Sequence, residues 1–236
     1  MKSGVGILLL FFAVAMDLPA QDSYLYKCTT VQAAPGQLMA LIDHLKTDLD
    51  KVRQSGEEPA YMFRHQQGDR WDLMILAPIG NYSDYFTSQA AQILEHPYGS
   101  DYYNYVALQE EGFVRGPNLD LFRQTWQNNT YFHAEMFVAL PGKHEELYRE
   151  REMENAYSQA RGGIYNMIFT KENGFVWDIF TLGGYRDFKH YAETQMSTAD
   201  KETAARQAGF ESAAAIGPYL RSLINYHHDT LGAKID

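Results

Sequence analysis

The chain is written twice. Residues 24–89 align with 130–195 without a gap, and twelve of those 66 positions are identical. The matches include Pro35-Gly36 with Pro141-Gly142, Phe63 with Phe169, Gly68 with Gly174, Trp71-Asp72 with Trp177-Asp178, and Leu76 with Leu182. Unrelated segments would share about a third as many at ordinary residue frequencies. A repeat of this kind restricts the fold to one structural unit built twice in succession.

Each copy carries the same order of elements. Tyr24 to Ala33 alternates as a strand, and Pro35-Gly36 breaks it. Leu38, Leu41, Ile42, Leu45, Leu49 and Val52 then recur at helical spacing, a stripe that predicts an amphipathic helix. Two strand-like runs, 60–65 and 71–77, flank the hairpin signal Gln67-Gly68-Asp69. A second helix is predicted over 83–94, with an extra helix and a closing strand within 102–122. The second copy repeats this from Phe132 onward, ending in a less regular stretch, 200–231. The expected organisation is a segment 1–20, a first unit 21–122, a polar linker 123–130 and a second unit 131–236.

The order β-α-β-β-α-β defines a ferredoxin-like α+β unit, whose helices cover one face of an antiparallel sheet. Two such units packed sheet to sheet hide each other's bare face, here within one chain. On this order, and on the repeated Pro-Gly and Trp-Asp pairs, the chain resembles the dimeric α+β barrel superfamily. Its members include antibiotic-biosynthesis-type and haem-degrading monooxygenases, NIPSNAP proteins and the duplicated chlorite-dismutase group. The resemblance implies a tandem intrachain α+β barrel, and haem enters as a cofactor only through it; function does not follow from fold.

The N-terminus reads as an export signal: Lys2, an apolar run from Val5 to Met16, and a small residue, Ala20, before Gln21. The run is shorter than the roughly 20 residues a bilayer core requires. The expected localisation is therefore secreted or periplasmic, without stable membrane insertion after cleavage. A formal charge of −10 argues against nucleic acid as a partner. A single cysteine, Cys28, excludes an intrachain disulfide. The sequence leaves the oligomeric state open.

Chemical interest lies where the copies differ. The apolar stripe of the first helix maps onto His144, Leu147, Tyr148, Arg151, Asn155 and Ser158. Polar groups against a sheet must be satisfied, so His144, Tyr148, Arg151 and Asn155 are the candidate ligand-binding residues. A rotated helix presenting Met153, Ala156, Tyr157 and Ala160 to the sheet is the alternative. Alternation in the strand at 132–138 places Phe132, Ala134, Met136 and Val138 on one face, expected to pack on the helices. His133, Glu135 and Phe137 are expected on the other, toward the barrel interior. His133, Glu135 and His228 are candidate proton-transferring or ligating groups. Adjacent strand residues face opposite ways, so within 227–229 only His227 and Asp229 could share a face; with His133 and Glu135 nearby they could ligate a metal, but no spacing motif assigns a site. Asp72 and Asp178 recur in both copies, which favours a structural role near a turn.

Three functions remain open. The first is an exported small-molecule-binding protein with a polar pocket in the second copy. The second is a monooxygenase-type enzyme, with or without haem. The third is a non-catalytic interaction scaffold whose partner surface lies around Tyr102 and Phe210.

Overall fold

A computed structural model describes residues 23–195 and 200–235; the segment read as an export signal lies outside the described residues. The first unit comprises β1 (Tyr24–Ala33), α1 (Leu38–Gln54), β2 (Tyr61–Gln67), β3 (Leu73–Pro78), α2 (Tyr82–Thr87), α3 (Gln89–Leu94) and β4 (Val106–Gly116). Helix α4 (Leu119–Asn128) leads to the second unit: β5 (Tyr131–Ala139), α5 (His144–Ala160), β6 (Asn166–Asn173), β7 (Ile179–Tyr185) and α6 (Phe188–Gln195). It closes with α7 (Lys201–Gln207), α8 (Ile216–Arg221) and β8 (Ile224–Ile235). The repeated Pro-Gly pairs act as expected: Gly36 and Gly142 both take φ 78°, open to glycine at little cost, and each helix starts two residues later. The helix predicted over 83–94 is split at Ser88, whose hydroxyl caps α3 by accepting the Ala91 N–H.

The eight strands form a closed antiparallel barrel in the order β1-β3-β2-β8-β5-β7-β6-β4. Within each unit the pairing is that of a ferredoxin-like sheet, and the units join through the β2–β8 and β4–β6 ladders. Closure leaves no strand edge unpaired. The interior is an apolar, largely aromatic core. Phe63, Trp71 and Leu76 of the first unit meet Phe169, Trp177 and Leu182 of the second there. Residues identical between the copies thus gather where the copies touch.

Two expectations are corrected. First, β5 turns its faces the opposite way. Phe132, Ala134 and Met136 join the barrel core, whereas Phe137 packs with Leu147 of α5. His133 and Glu135 therefore lie on the helix side. The alternation itself holds; the barrel interior, sealed by both units, takes the more uniformly apolar face. Second, the stretch read as a polar linker belongs mostly to α4, whose Phe122 and Trp126 are buried in the barrel core. Phe122 meets Tyr61 at 4.8 Å and Trp126 meets Phe132 at 4.9 Å between ring centroids. Asn118 caps this helix by accepting the Leu121 N–H at 2.9 Å.

Asp72 and Asp178 hold equivalent strand ends. Asp72 Oδ2 accepts the Ala33 N–H at 2.8 Å, and Asp178 Oδ2 accepts the Ala139 N–H at 3.0 Å. Tyr102 and Phe210, named above as centres of a partner surface, are both buried side chains.

Candidate functional site

Helix α5 lies over the second unit's sheet with the later part of its polar stripe, from Arg151 on, turned inward. Arg151 and Asn155 are buried, as is Leu147 one turn before Arg151 on the same face. Ala156 and Ala160 are exposed, so the rotated arrangement is not the one adopted. The stripe is satisfied largely from within. Asn155 donates to the Asn166 carbonyl at 2.9 Å and accepts the Asn166 N–H at 2.8 Å. Ser158 donates to the Ile164 carbonyl at 2.9 Å. These bonds tie α5 to the start of β6.

Arg151 is held by carboxylates. Its Nε donates to Glu150 Oε2 at 2.7 Å, Nη2 lies 3.1 Å from Glu154 Oε1, and Nη1 lies 3.7 Å from Glu135 Oε1. Its guanidinium also rests on the Phe137 ring, 4.5 Å from the centroid. Thr181 donates to the other Glu135 oxygen at 3.0 Å. Three carboxyls thus face one cation in a site of low polarity. Burial pushes the Glu150 carboxyl up to about 7, only partly opposed by Arg151, and Glu150 Oε1 has no hydrogen-bond partner among the described residues. Burial likewise raises Glu154, with Glu135 repelling its charge. Burial works against the Arg151 cation, but Glu154, Glu135 and Glu150 together hold its pKa above the ordinary value.

Beside this cluster a cleft of about 180 Å³ opens between the end of α5 and the sheet. His133, Glu135, Glu154, Tyr157, Arg161 and Asn166 line it. Glu135 and Glu154 keep side chains 18% and 28% exposed, so their carboxyls reach the cleft. Asn166 Oδ1 is buried with no hydrogen-bond partner among the described residues. Arg161 lies over the Tyr157 ring.

Of the residues singled out from sequence, His133, Glu135, Arg151 and Asn155 come together under α5. His144 points outward beside Asp178, at 3.6 Å, and Tyr148 is 38% exposed on the rim of a separate groove with Tyr165. His228 belongs to the opposite face: its ring meets Trp177 of the barrel core at 5.0 Å, and Nδ1 lies 3.1 Å from Asp69. The sheet separates it from His133. His227 stacks on Phe137, on the helix side. Side chains of three His, Cys, Asp or Glu residues bring ligand atoms within 4.8 Å of one another at one place among the described residues, His44, Asp48 and His96 of the first unit.

Sequence reasoning missed Glu150, Glu154, Arg161 and Asn166. The usable signal was helical: Glu150 and Glu154 stand four apart, with Arg151 next to the first and one turn before the second. A haem does not fit this cleft. Its volume falls below the roughly 300–1,000 Å³ of sites that enclose drug-sized ligands, and Arg151 with Glu150 occupies the space between helix and sheet.

No family model matches the sequence, and no curated protein matches it. The fold has clear relatives among solved structures. An anthrone oxidase-like protein superposes with TM-score 0.61 at 8% identity, over 91% of this chain and 92% of its own. A proposed monooxygenase from Lactobacillus acidophilus NCFM gives TM-score 0.56 at 8% identity, over 90% and 94%. A variant of the chlorite dismutase from Candidatus Nitrospira defluvii gives 0.51 at 12% identity, over 91% and 93%. Barrel closure, strand order and these superpositions together establish the tandem ferredoxin-like, dimeric α+β barrel fold for this chain.

Proposed function

We propose that this is an exported protein that binds a small, hydrogen-bond-donating molecule, cationic in preference, in the cleft under α5. The observation that carries the reading is the acceptor-rich lining: Glu135 and Glu154 reach the cleft, and Asn166 Oδ1 is a buried acceptor with no donor among the described residues. Arg151 stands behind the cleft, pairing with both carboxylates, and Asn155 fixes the strand that presents Asn166. His144 and Tyr148 stand outside this cleft and contribute at most to its approach. The volume suits a ligand of a few heavy atoms rather than a large cofactor.

The test is a thermal-shift screen of the mature protein with small amines, guanidines and amino alcohols, beside matched carboxylic acids. The reading expects stabilisation by members of the cationic set and its loss in Glu154→Gln. Silence across the cationic set, or stabilisation by the acids alone, would overturn it.

A monooxygenase-type or other proton-transfer enzyme is the second reading. Buried carboxyls with raised pKa beside a cleft are the kind of group such chemistry uses, and Glu150 and Glu154 are two of them.

A further inference from the structure

The repeat superposes more than the fold. The shift of 106 residues that aligns the copies places His44 on Glu150, Leu45 on Arg151 and Asp48 on Glu154. Both units therefore set a titratable pair on the same turns of the same helix. In the second unit the pair encloses its own cation, Arg151. In the first, the position of that cation holds leucine, and the pair is met instead by a histidine from beyond α3.

We propose that His44, Asp48 and His96 form a binding site for a divalent transition metal of the zinc type, in the first unit and separate from the cleft under α5. His44 Nε2 lies 3.3 Å and His96 Nε2 2.9 Å from the same atom, Asp48 Oδ2. The three ligand atoms fall within 4.8 Å of one another. Zinc ligands stand about 2.0–2.2 Å from the ion, so ligand atoms bound to one ion stand about 3–3.5 Å apart, close to the spacing at which both histidine nitrogens already stand from Asp48 Oδ2. Two imidazoles and a carboxylate favour Zn²⁺, Co²⁺ or Ni²⁺ over Ca²⁺ and Mg²⁺, which prefer oxygen donors.

The ligands are held before any ion arrives. His44 and Asp48 are four residues apart on α1, so both project from one face. His96 is clamped against Tyr102 in a parallel stack, with centroids 3.8 Å apart and planes 7° off. Tyr102 is anchored in turn by donating to Gln109 Oε1 at 2.6 Å. Lys51 holds the second Asp48 oxygen at 2.7 Å, leaving Oδ2 to the histidines. Asp48 and His96 have side chains 5% and 12% exposed, whereas His44, at 28%, gives the site an open side. His96 also lines a cavity of about 30 Å³ with Lys27, Tyr102 and Glu111, room for about one water. Three protein ligands with an exposed side at His44 are the make-up of a metal site that keeps a coordination place open.

The experiment uses the tag-free mature chain, stripped with a chelator and titrated with Zn²⁺ against a chromogenic indicator, with Co²⁺ absorption as a second readout. One equivalent of Zn²⁺ is expected, with a Co²⁺ visible band. His44→Gln and His96→Gln should each weaken binding about 10–100-fold or more, while thermal melts of the metal-free variants verify folding. His133→Gln with His227→Gln, in the second unit, should leave the titration unchanged. Failure of the wild type to take up Zn²⁺, equal binding by His44→Gln and His96→Gln, or loss of binding only in the second-unit variant would overturn the site. Displacement of Zn²⁺ by equimolar Mg²⁺ would overturn the metal class.

Discussion

Arg151 Nε lies 2.7 Å from Glu150 Oε2, and these neighbours on one helix are both closed off from solvent. Adjacent helical residues normally point about 100° apart. Their side chains converge here because the space over β5 is filled from both: Arg151 lies on Phe137, and Glu150 turns back to meet it. Bringing two charges inside is costly unless they are paired, and this pair stands beside two further carboxyls, those of Glu135 and Glu154.

The raised Glu150 pKa makes stability depend on pH in a defined direction. Folding moves this carboxyl up from near 4.5 to about 7. Between those values the folded state holds the proton that the unfolded state has lost, so stability declines as pH rises through the window. Glu150→Gln should remove that decline, with a difference from wild type of roughly 1–3 kcal/mol accumulating between pH 4.5 and 7. Urea denaturation of both proteins across that range checks it.

Removing the cation should be more damaging than removing one acid. Arg151→Met leaves Glu135, Glu150 and Glu154 facing one another without a counter-charge, at a cost of about 3–5 kcal/mol at neutral pH. The loss should shrink as pH falls, because burial raises the carboxyls of Glu150 and Glu154 and favours their protonated forms, and shrink again in the double variant with Glu150→Gln. Denaturation midpoints at pH 5 and pH 7.5 decide this.

Asp72 and Asp178 should behave as twins. Each accepts a strand-end N–H, from Ala33 and Ala139. Replacing either by alanine should cost about 1–3 kcal/mol by leaving that donor unpaired. Placed at equivalent points of different units, the two losses should add within about 0.5 kcal/mol. Chemical denaturation of both single variants and the double variant measures the sum.

Helix α4 should act as core rather than tether. Phe122 is wholly buried between Tyr26, Tyr61 and Phe169, so Phe122→Ala should cost about 3–5 kcal/mol. A freely exchangeable linker would tolerate the change. Loss of near-ultraviolet circular dichroism together with a lowered melting temperature is the expected result.

Much of this was written in the residues themselves. Helical spacing from Leu38 to Val52, the breaks at Pro35-Gly36 and Pro141-Gly142, and the Gln67-Gly68-Asp69 turn locate elements that form where expected. These are local signals, set by backbone sterics and periodicity, and duplication made them legible twice. The inward aim of Arg151 and Asn155 could also be read, because the first copy showed which positions of that helix meet the sheet.

What the chain order could not reveal was decided by closure of the barrel. Alternation along Phe132 to Val138 separates two faces but does not say which is inside. That depends on whether the helix layer or the partner unit supplies the drier surface, and the aromatic interior did. The meeting of His133 and Glu135 with Arg151 follows from that choice, as does the exclusion of His228. His96 reaches His44 and Asp48 across about 50 positions of sequence only because the chain after α3 folds back over α1. Local propensity selects elements; which side chains share a site is fixed by how distant surfaces exclude water from one another.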